Sequence, residues 1–467
     1  MPATSLVRSP KYLLISFTCI LALSTPVSLG YQWHLSSSQD KTKGKWQVAQ
    51  DYAREKGVEI DINAYIDSKK GNGVALIDGH PWLKEVFSNT DHVSSGLTEL
   101  PALPNGVPIL DRDHNKNILL IRERLTIPTK EKLSDREVIE RLQEALTPCN
   151  QDLDRLKQAI MESSDLGTES LKAAKGSVNY HFRVKLMHDL LLTKAYCTLM
   201  LGGNDCSDFQ AACKLRELYS NHGVGSLLET TVNIAIKLRT ESTANAYAYS
   251  PQAKTNTVKQ LVAILPSKPN HLNFKLIIRS ELAAVSVIWA DMHEDVKKGR
   301  NPLYPDSSPM PEHVFLEIRS DFIRFYIDYL IKPDETAVDI QPSDLEPIAG
   351  DLDPRVRNLK PHSRQMITDI MDGMDKHYHI YLKSDMQLGL KRLALASRLY
   401  QLENGQYPKT LSQITPKYLT KLPTIPHTGT PFSYHPPASP SSLPNFTGSL
   451  TFGSKRIEVD WLHPVKD

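Results

Sequence analysis

Apolar residues recur at helical spacing through most of the chain beyond residue 134. Leucines, isoleucines and aromatic residues three or four positions apart predict helices from about residue 134 to 298, including helices near 254–265 and 271–298, and a further helix near 312–331. The connections are only about five residues long, so neighbouring helices must run antiparallel. This pattern predicts stacked antiparallel helical hairpins.

Three serine motifs mark the expected starts of helices. Each serine stands three positions before a glutamate or glutamine that can return a hydrogen bond to the serine backbone. Such a reciprocal capping box satisfies amide groups of the first helical turn. We therefore expect Ser134, Ser207 and Ser226 to be N-caps.

A long helix is expected over about residues 363–402, ending at Asn404-Gly405. Its second half carries two apolar stripes on opposite sides. One stripe contains Met386, Leu390, Leu393 and Tyr400, and the other contains Leu388, Leu395, Leu399 and Leu402. The helix therefore needs packing partners on two sides.

Alternating apolar and polar residues near the C-terminus predict short strands around Phe432–Tyr434, in 448–452 and over Ile457–Trp461. Together with the long helix they would form a small α+β module. The expected fold class is mainly α, with helical hairpins followed by this module.

The same pattern divides the chain into five parts. They are 1–33 as a signal peptide or membrane anchor, 34–130 as an irregular region with a short helix, 131–335 as a helical domain, 336–362 as an acidic linker containing prolines, and 363–467 as the long helix with its sheet. The aspartates of the linker, Asp353 among them, favour its exposure.

The first part bears on location. Residues 12–23 are apolar and follow Arg8 and Lys11, which is typical of an export signal. Cleavage after the small residues near 28–30 and retention as a single membrane anchor are both open. Either outcome places the rest of the chain outside the cytoplasm, on the periplasmic side of the inner membrane or secreted.

The charge and the cysteines of the chain bear on nucleic-acid binding and on disulfide bonds. The net charge is +2, from 55 basic and 53 acidic residues spread along the chain, which argues against a nucleic-acid partner. Export would permit disulfides. A bridge among Cys197, Cys206 and Cys213 is one interpretation, and buried reduced thiols are the other.

Candidate chemistry is sparse. Polar residues in 67–128 could form a hydrolase-type site, from Asp78, His80, Asp111, Asp113 and His114. The pairs His188-Asp189 and His377/His379 with Asp372 and Asp375 are interpreted as solvated surface groups, and Gly223–Ser226 as a turn with a cap. We predict no cofactor and no metal site.

One segment resembles a known family. Residues 386–434 resemble the region of type II secretion pseudopilins in which a helix ending in an Asn-Gly-x-Tyr-Pro motif leads to a proline-rich loop. The matching positions include Asn404, Gly405, Tyr407, Pro408, Pro423, Gly429 and Tyr434, whereas Ile425 stands where the family usually has aspartate. About 50 residues are covered, so the chain is not a pseudopilin, and no calcium site is carried over.

The order of parts is also similar to uncharacterised exported proteins of planctomycete and verrucomicrobial bacteria. The shared features are an N-terminal anchor, Trp46, Tyr52 and Gly57 near it, a Leu-Arg-Glu-Leu helix at 215–218, and the C-terminal segment. This likeness implies no activity.

The sequence favours a non-enzymatic exported envelope protein that acts by protein–protein interaction, with other envelope proteins as partners. A secreted hydrolase and an accessory factor of a secretion or pilus system are the alternatives. The sequence leaves the oligomeric state open.

Overall fold

The protein is mainly α-helical with a small C-terminal sheet, as the sequence predicts. The computed structural model describes residues 39–61, 64, 67, 73–88, 107, 108, 110–167, 178–222, 227–265, 274–302, 308–331, 353–439, 442–453 and 455–461. Within these ranges the helices are α1 (Gln39–Glu55), α2 (Pro81–Ser88), α3 (His114–Arg124), α4 (Asp135–Leu146), α5 (Asn150–Glu162), α6 (Val178–Met200), α7 (Ser207–His222), α8 (Leu227–Ala248), α9 (Thr255–Ile264), α10 (Phe274–Lys297), α11 (Glu312–Phe325) and α12 (Pro361–Asn404).

The chain forms two compact units. Residues 1–65 and 272–380 make unit 1, and residues 66–271 and 381–467 make unit 2. The first half of α12 belongs to unit 1 and its second half to unit 2.

In unit 1, α1 packs against α11. The Arg319 guanidinium stacks on the Trp46 ring at 3.8 Å, and the Tyr52 hydroxyl donates a 2.5 Å hydrogen bond to Asp328. Asp328 lies in a π-helical turn, Tyr326–Ile331, that continues α11. Trp46 and Tyr52, two of the residues shared with the exported proteins, therefore hold α1 against α11 and the turn that follows it.

In unit 2, α6 is the central helix and packs against α4, α7 and α8. Leucines and aromatic residues on several of its sides are buried, including Leu191 and Tyr196. A helix that is buried on most sides must also bury the polar residues that it carries.

Two of the three predicted caps are tested by the structure. Ser134 forms the expected box, because its hydroxyl accepts from the Glu137 amide while Glu137 accepts from the Ser134 amide. The Ser207 prediction is wrong, since Ser207 is the first residue of α7 and donates its backbone N–H to Asp205 at 2.8 Å. An ionised carboxylate is a stronger acceptor than a hydroxyl. Ser226 lies outside the described residues.

The C-terminal sheet has the antiparallel order β1 (Ser433–His435), β2 (Asn445–Phe452), β3 (Lys455–Asp460). Its register pairs Tyr434 with Phe446 and Leu450 with Ile457. The Phe432 ring lies between α12 and β2, so close to Gly389 and Gly448 that a Cβ at either position would fall within 2.7 Å of it. This ring therefore determines how the sheet packs on the helix.

Helix α12 has both of its apolar stripes covered. Met386, Leu390 and Leu393 on one side and Leu388, Leu395 and Leu399 on the other are all buried. Gly405 ends the helix with a positive φ of 75° and donates its N–H to the Gln401 carbonyl. The predicted need for packing on two sides is met within the chain.

Some expectations for the connections are wrong. The region 67–128, part of the segment expected to be irregular, contains α2 and α3. The apolar run at 118–121, whose pattern fits either a buried strand or a helical turn, is helical and belongs to α3, with Ile118 and Ile121 buried. Asp353 is buried rather than exposed, because the Arg355 guanidinium binds its carboxylate at 2.8 and 3.0 Å. Residues 332–352 of the linker lie outside the described ranges.

The predicted signal or anchor, residues 1–33, also lies outside them. In the part of the chain that is described, no helix combines the length and apolarity needed to cross a bilayer.

Candidate functional site

Unit 2 buries an unusual number of charged side chains where α6, α7, α8 and the second half of α12 meet. Two groups can be distinguished. The aspartate network consists of Lys185, His188, Asp189 and Arg239, and the polar centre consists of Arg216, Lys237, Glu241, Asn245 and Arg392. Within each group the named acidic, basic and amide side chains are buried, except for Lys185, which is partly exposed.

Helix α8 supplies most of these residues. Between Lys237 and Asn245 every residue except Leu238 and Ala244 is polar, so polar side chains point to all sides of the helix. The helix is held by tertiary packing on all sides rather than by an amphipathic face. Its charged side chains consequently lie between helices.

The aspartate network is fully paired. The Asp189 carboxylate accepts from Arg239 Nε at 2.9 Å and from Lys185 Nζ at 2.6 Å. Arg239 also donates to the Pro108 carbonyl at 2.6 Å, and His188 Nε2 lies 2.9 Å from the Thr240 hydroxyl. A buried carboxylate is tolerated only with such compensation.

The pKa values of the network follow from these contacts. Burial by itself would raise the pKa of Asp189, but the charges of Arg239 and Lys185 and the hydrogen bond from His188 outweigh it and lower that pKa to about 2. Burial lowers the pKa of His188, which keeps the imidazole neutral. The network is thus a structural ion pair, with Asp189 charged at neutral pH.

The polar centre differs from it because several of its buried polar atoms have no hydrogen-bond partner among the described residues. Lys237 is 5% exposed, and its Nζ has no hydrogen-bond partner among the described residues. Arg216 is also 5% exposed, and its Nη1 lacks a partner in the same part of the chain. An ammonium group buried without an acceptor costs several kcal/mol.

Burial is the main cause that lowers the pKa of Lys237 to about 8; the charges of Arg216 and Arg392 also lower it, while the charge of Asp385 raises it. Lys237 is therefore still protonated at pH 7. The centre holds three basic side chains near one another in a low-dielectric setting.

The remaining contacts of the centre use only part of its hydrogen-bonding capacity. Arg392 Nε donates to Glu241 Oε1 at 3.1 Å. The Asn245 amide nitrogen donates to two carbonyls, those of Glu241 at 2.8 Å and Lys391 at 3.1 Å. Glu241 Oε2 and Asn245 Oδ1 have no donor within the described ranges.

The polar centre offers groups that can bind a ligand. Among the described residues, Lys237 Nζ and Arg216 Nη1 have donor capacity left for an anion, and Glu241 Oε2 and Asn245 Oδ1 can accept hydrogen bonds. The neighbouring thiol, Cys213, has its pKa raised by burial to about 12, which leaves it protonated and unreactive.

No protein-family model, no curated protein and no solved structure matches the chain. The arrangement of residues described above is therefore the basis for any functional conclusion.

The residues of the hydrolase-type site predicted in 67–128 make contacts that build local structure. Asp113 is the N-cap of α3 and accepts from the Asn115 and Lys116 amides. The Asn117 side chain accepts from the Asp111 backbone N–H and donates to the Asp111 carbonyl, both at 2.6 Å. His114 pairs with Asp135 of α4 at 3.0 Å. These contacts start α3 and join it to α4.

The other two residues of that set lie apart from α3 along the chain, in the turn before α2. The backbone of this turn, at Leu76 and Ile77, is bonded to Asp165 and Leu166. A Cβ added to Gly167 would lie 2.7 Å from the Asp78 carboxylate. Asp78 and His80 thus belong to a close-packed crossing of two chain segments.

The residues that carry the pseudopilin resemblance have structural contacts. Asn404 donates to the Tyr400 carbonyl at 2.8 Å, and Tyr434 donates to the Pro408 carbonyl at 2.5 Å. Pro423 lies against the position of Gly389, Gly429 takes a positive φ of 65°, and burial raises the pKa of Tyr407. The motif ends α12 and holds the following loop on it.

The cysteines Cys149, Cys197, Cys206 and Cys213 are buried reduced thiols. His377 and His379 each contact a carbonyl four residues earlier, Gly373 and Asp375. In the described part of the chain, no group of histidine, cysteine and acidic residues has the arrangement of a metal site. Gly223–Ser226 lies outside that part.

The interpretation of His188-Asp189 as a surface pair is wrong, since both side chains are buried. Sequence reasoning also missed Arg216, Lys237, Glu241 and Arg392. A usable signal was present in α8, where a lysine, an arginine and a glutamate stand within five positions of a helix flanked by buried apolar residues.

Proposed function

We propose that the protein is a non-enzymatic exported protein that acts by binding, and that its ligand is a small anion held in the polar centre. The single observation that carries this proposal is the Lys237 ammonium, buried and without an acceptor among the described residues. A protein rarely retains such a group unless something compensates its charge. Arg216 beside it supplies a second donor.

A partner protein that docks on the apolar stripes of α12 receives no support, because those stripes are buried in the chain itself. The contacts of Asp111, Asp113 and His114 favour a structural role over a hydrolytic one. A binding function at the polar centre is therefore the best-supported proposal.

Thermal unfolding with a panel of small compounds that each carry an anionic group tests this function. The panel contains acetate, phosphate, sulfate and the amino acids, each at equal ionic strength. A ligand at one hundred times its Kd stabilises the native state by about 2.7 kcal/mol, so at least one compound should raise the Tm of the wild-type chain. The Lys237→Met variant should lose this response.

Arg122→Met provides a matched control, because Arg122 binds the carbonyls of Pro128 and Glu131 away from the polar centre. This control should respond as the wild type does. The proposal is wrong if no compound raises the Tm, or if every rise is equal in the Lys237→Met variant.

Export remains part of the proposal because of the apolar run at 12–23. Cell fractionation of the full chain tests it, and recovery in the cytoplasm alone would contradict it.

A further inference from the structure

The polar centre presents acceptors as well as cations, and both kinds lie along one face of α8. Lys237, Glu241 and Asn245 are four residues apart in succession. Residues at this spacing lie on one helix face, with Cβ atoms about 5–6 Å apart at each step. An ammonium, a carboxylate and an amide therefore follow one another over two helical turns.

Two acceptor oxygens on this face, Glu241 Oε2 and Asn245 Oδ1, receive no hydrogen bond from the described residues. Glu241 is fully buried, and Arg392 Nε contacts only its Oε1. The Asn245 nitrogen is engaged by two carbonyls, which orients the amide and leaves its Oδ1 without a donor in the ranges that the structure describes. A buried acceptor that has lost water costs about 1–3 kcal/mol.

An anion alone would satisfy only half of the centre. A phosphate or dicarboxylate bound to Lys237 and Arg216 would bring negative charge toward Glu241, and like charges in a low-dielectric setting repel strongly. A ligand that also carries an ammonium group offers three N–H donors to the acceptor half.

Resting on the proposed function above, we infer that the ligand is an amino-acid-type zwitterion. Its carboxylate binds Lys237 and Arg216, and its ammonium group binds Glu241 Oε2 and Asn245 Oδ1. The two unpartnered donors and the two unpartnered acceptors are thereby satisfied together. Each charged group of the ligand then faces a side chain of opposite charge, with the carboxylate at Lys237 and Arg216 and the ammonium group at Glu241.

The experiment measures the binding of each of the twenty amino acids to the full-length wild-type protein by calorimetry and thermal unfolding. Because the site is buried, each compound is also present during refolding from urea. The tightest amino acid is then compared with its analogue without the amino group and with its amide, which lacks the carboxylate. We expect each analogue to bind at least tenfold more weakly.

A variant separates the two halves of the site. Glu241→Gln should weaken the amino acid at least tenfold and leave the analogue without the amino group unaffected or tighter, whereas Lys237→Met should weaken both. The analogue series uses only the wild-type protein. It therefore shows whether both the amino group and the carboxylate are needed for binding even if Glu241→Gln does not fold.

The outcomes distinguish this inference from the proposed function. If the analogue without the amino group, or acetate or phosphate, binds as tightly as the best amino acid, the ligand is a simple anion. The zwitterion inference is then wrong and the proposed function stands. If no amino acid and no anion binds the wild-type protein, both are wrong.

Discussion

Two basic residues of α8, only two positions apart, illustrate how the same charge can have opposite effects on stability. Arg239 is paired with Asp189 at 2.9 Å, whereas Lys237 has no acceptor in the described residues. Both side chains are less than a tenth exposed. Both residues are basic and buried, and they differ in whether an acidic partner lies within hydrogen-bond distance.

We therefore expect opposite results from the same kind of substitution. Arg239→Met leaves the Asp189 carboxylate buried without its main partner and should lower the free energy of unfolding by about 3–5 kcal/mol. Lys237→Met removes an uncompensated charge and should raise it by roughly 1–3 kcal/mol at pH 7. Urea unfolding of the ligand-free variants measures both. Equal destabilisation would show that Lys237 has an acceptor.

At the scale of elements, the pairing of α12 with the sheet depends on one aromatic ring. Phe432 fits between Gly389 and Gly448 because neither residue has a Cβ. The contacts of Asn404, Pro408 and Tyr434 then hold the intervening loop. The C-terminal segment behaves as a structural module on the helical body, which its sequence motif had indicated.

Gly389→Ala tests this arrangement. The new methyl group would lie 2.7 Å from the Phe432 ring, so we expect a net loss of about 1–2 kcal/mol of unfolding free energy. In a Phe432→Leu background the clash is relieved, and the higher helix propensity of alanine should make the same change neutral or stabilising by up to about 1 kcal/mol. A double-mutant cycle from urea unfolding measures the coupling. Additive effects would contradict the packing described for this ring.

At the scale of the whole molecule, buried neutral histidines connect stability to pH. Burial lowers the pKa of His181 to about 4, and its Nδ1 lies 2.8 Å from the Tyr219 hydroxyl. The unfolded chain, with a pKa near 6.5, binds a proton that the folded chain excludes. Stability is thus fully present above about pH 6.5 and is lost as the pH falls toward 4.

Between pH 7 and pH 5, His181 alone should reduce the free energy of unfolding by about 2 kcal/mol. His188, whose pKa is also lowered by burial, adds to this loss. Asp189, with a pKa of about 2, titrates below this interval and does not contribute. His181→Gln keeps a hydrogen-bonding group near Tyr219 and should flatten the pH dependence by that amount in urea titrations. An unchanged slope would mean that His181 is protonated in the folded protein.

Local sequence was sufficient for the elements whose signals are local. Apolar periodicity located the helices beyond residue 134, the Ser134 box marked the start of α4, and Asn404-Gly405 marked the end of α12. Alternation located the C-terminal strands. Prediction from local sequence failed at Ser207, where the competing acceptor Asp205 stands only two residues away. It also failed in 67–128, where α2 and α3 are short and weakly periodic.

The candidate site could not be read in this way. Glu241 and Arg392 are 151 positions apart, and Arg216 and Lys237 lie on different helices. Whether a charged residue is solvated, paired or buried without a partner depends on which helices pack around it. Helical periodicity does not specify that packing.

The sequence by itself thus determined a mainly helical chain with a small C-terminal sheet, because hydrogen bonding and side-chain spacing within each element are local. Only the tertiary structure decided that His188 and Asp189 are buried and that α12 is covered on both sides. It also decided that Lys237 lies in a polar centre, with no acceptor in the part of the chain that the structure describes. The physical reason is that desolvation and charge compensation depend on neighbours distant in sequence.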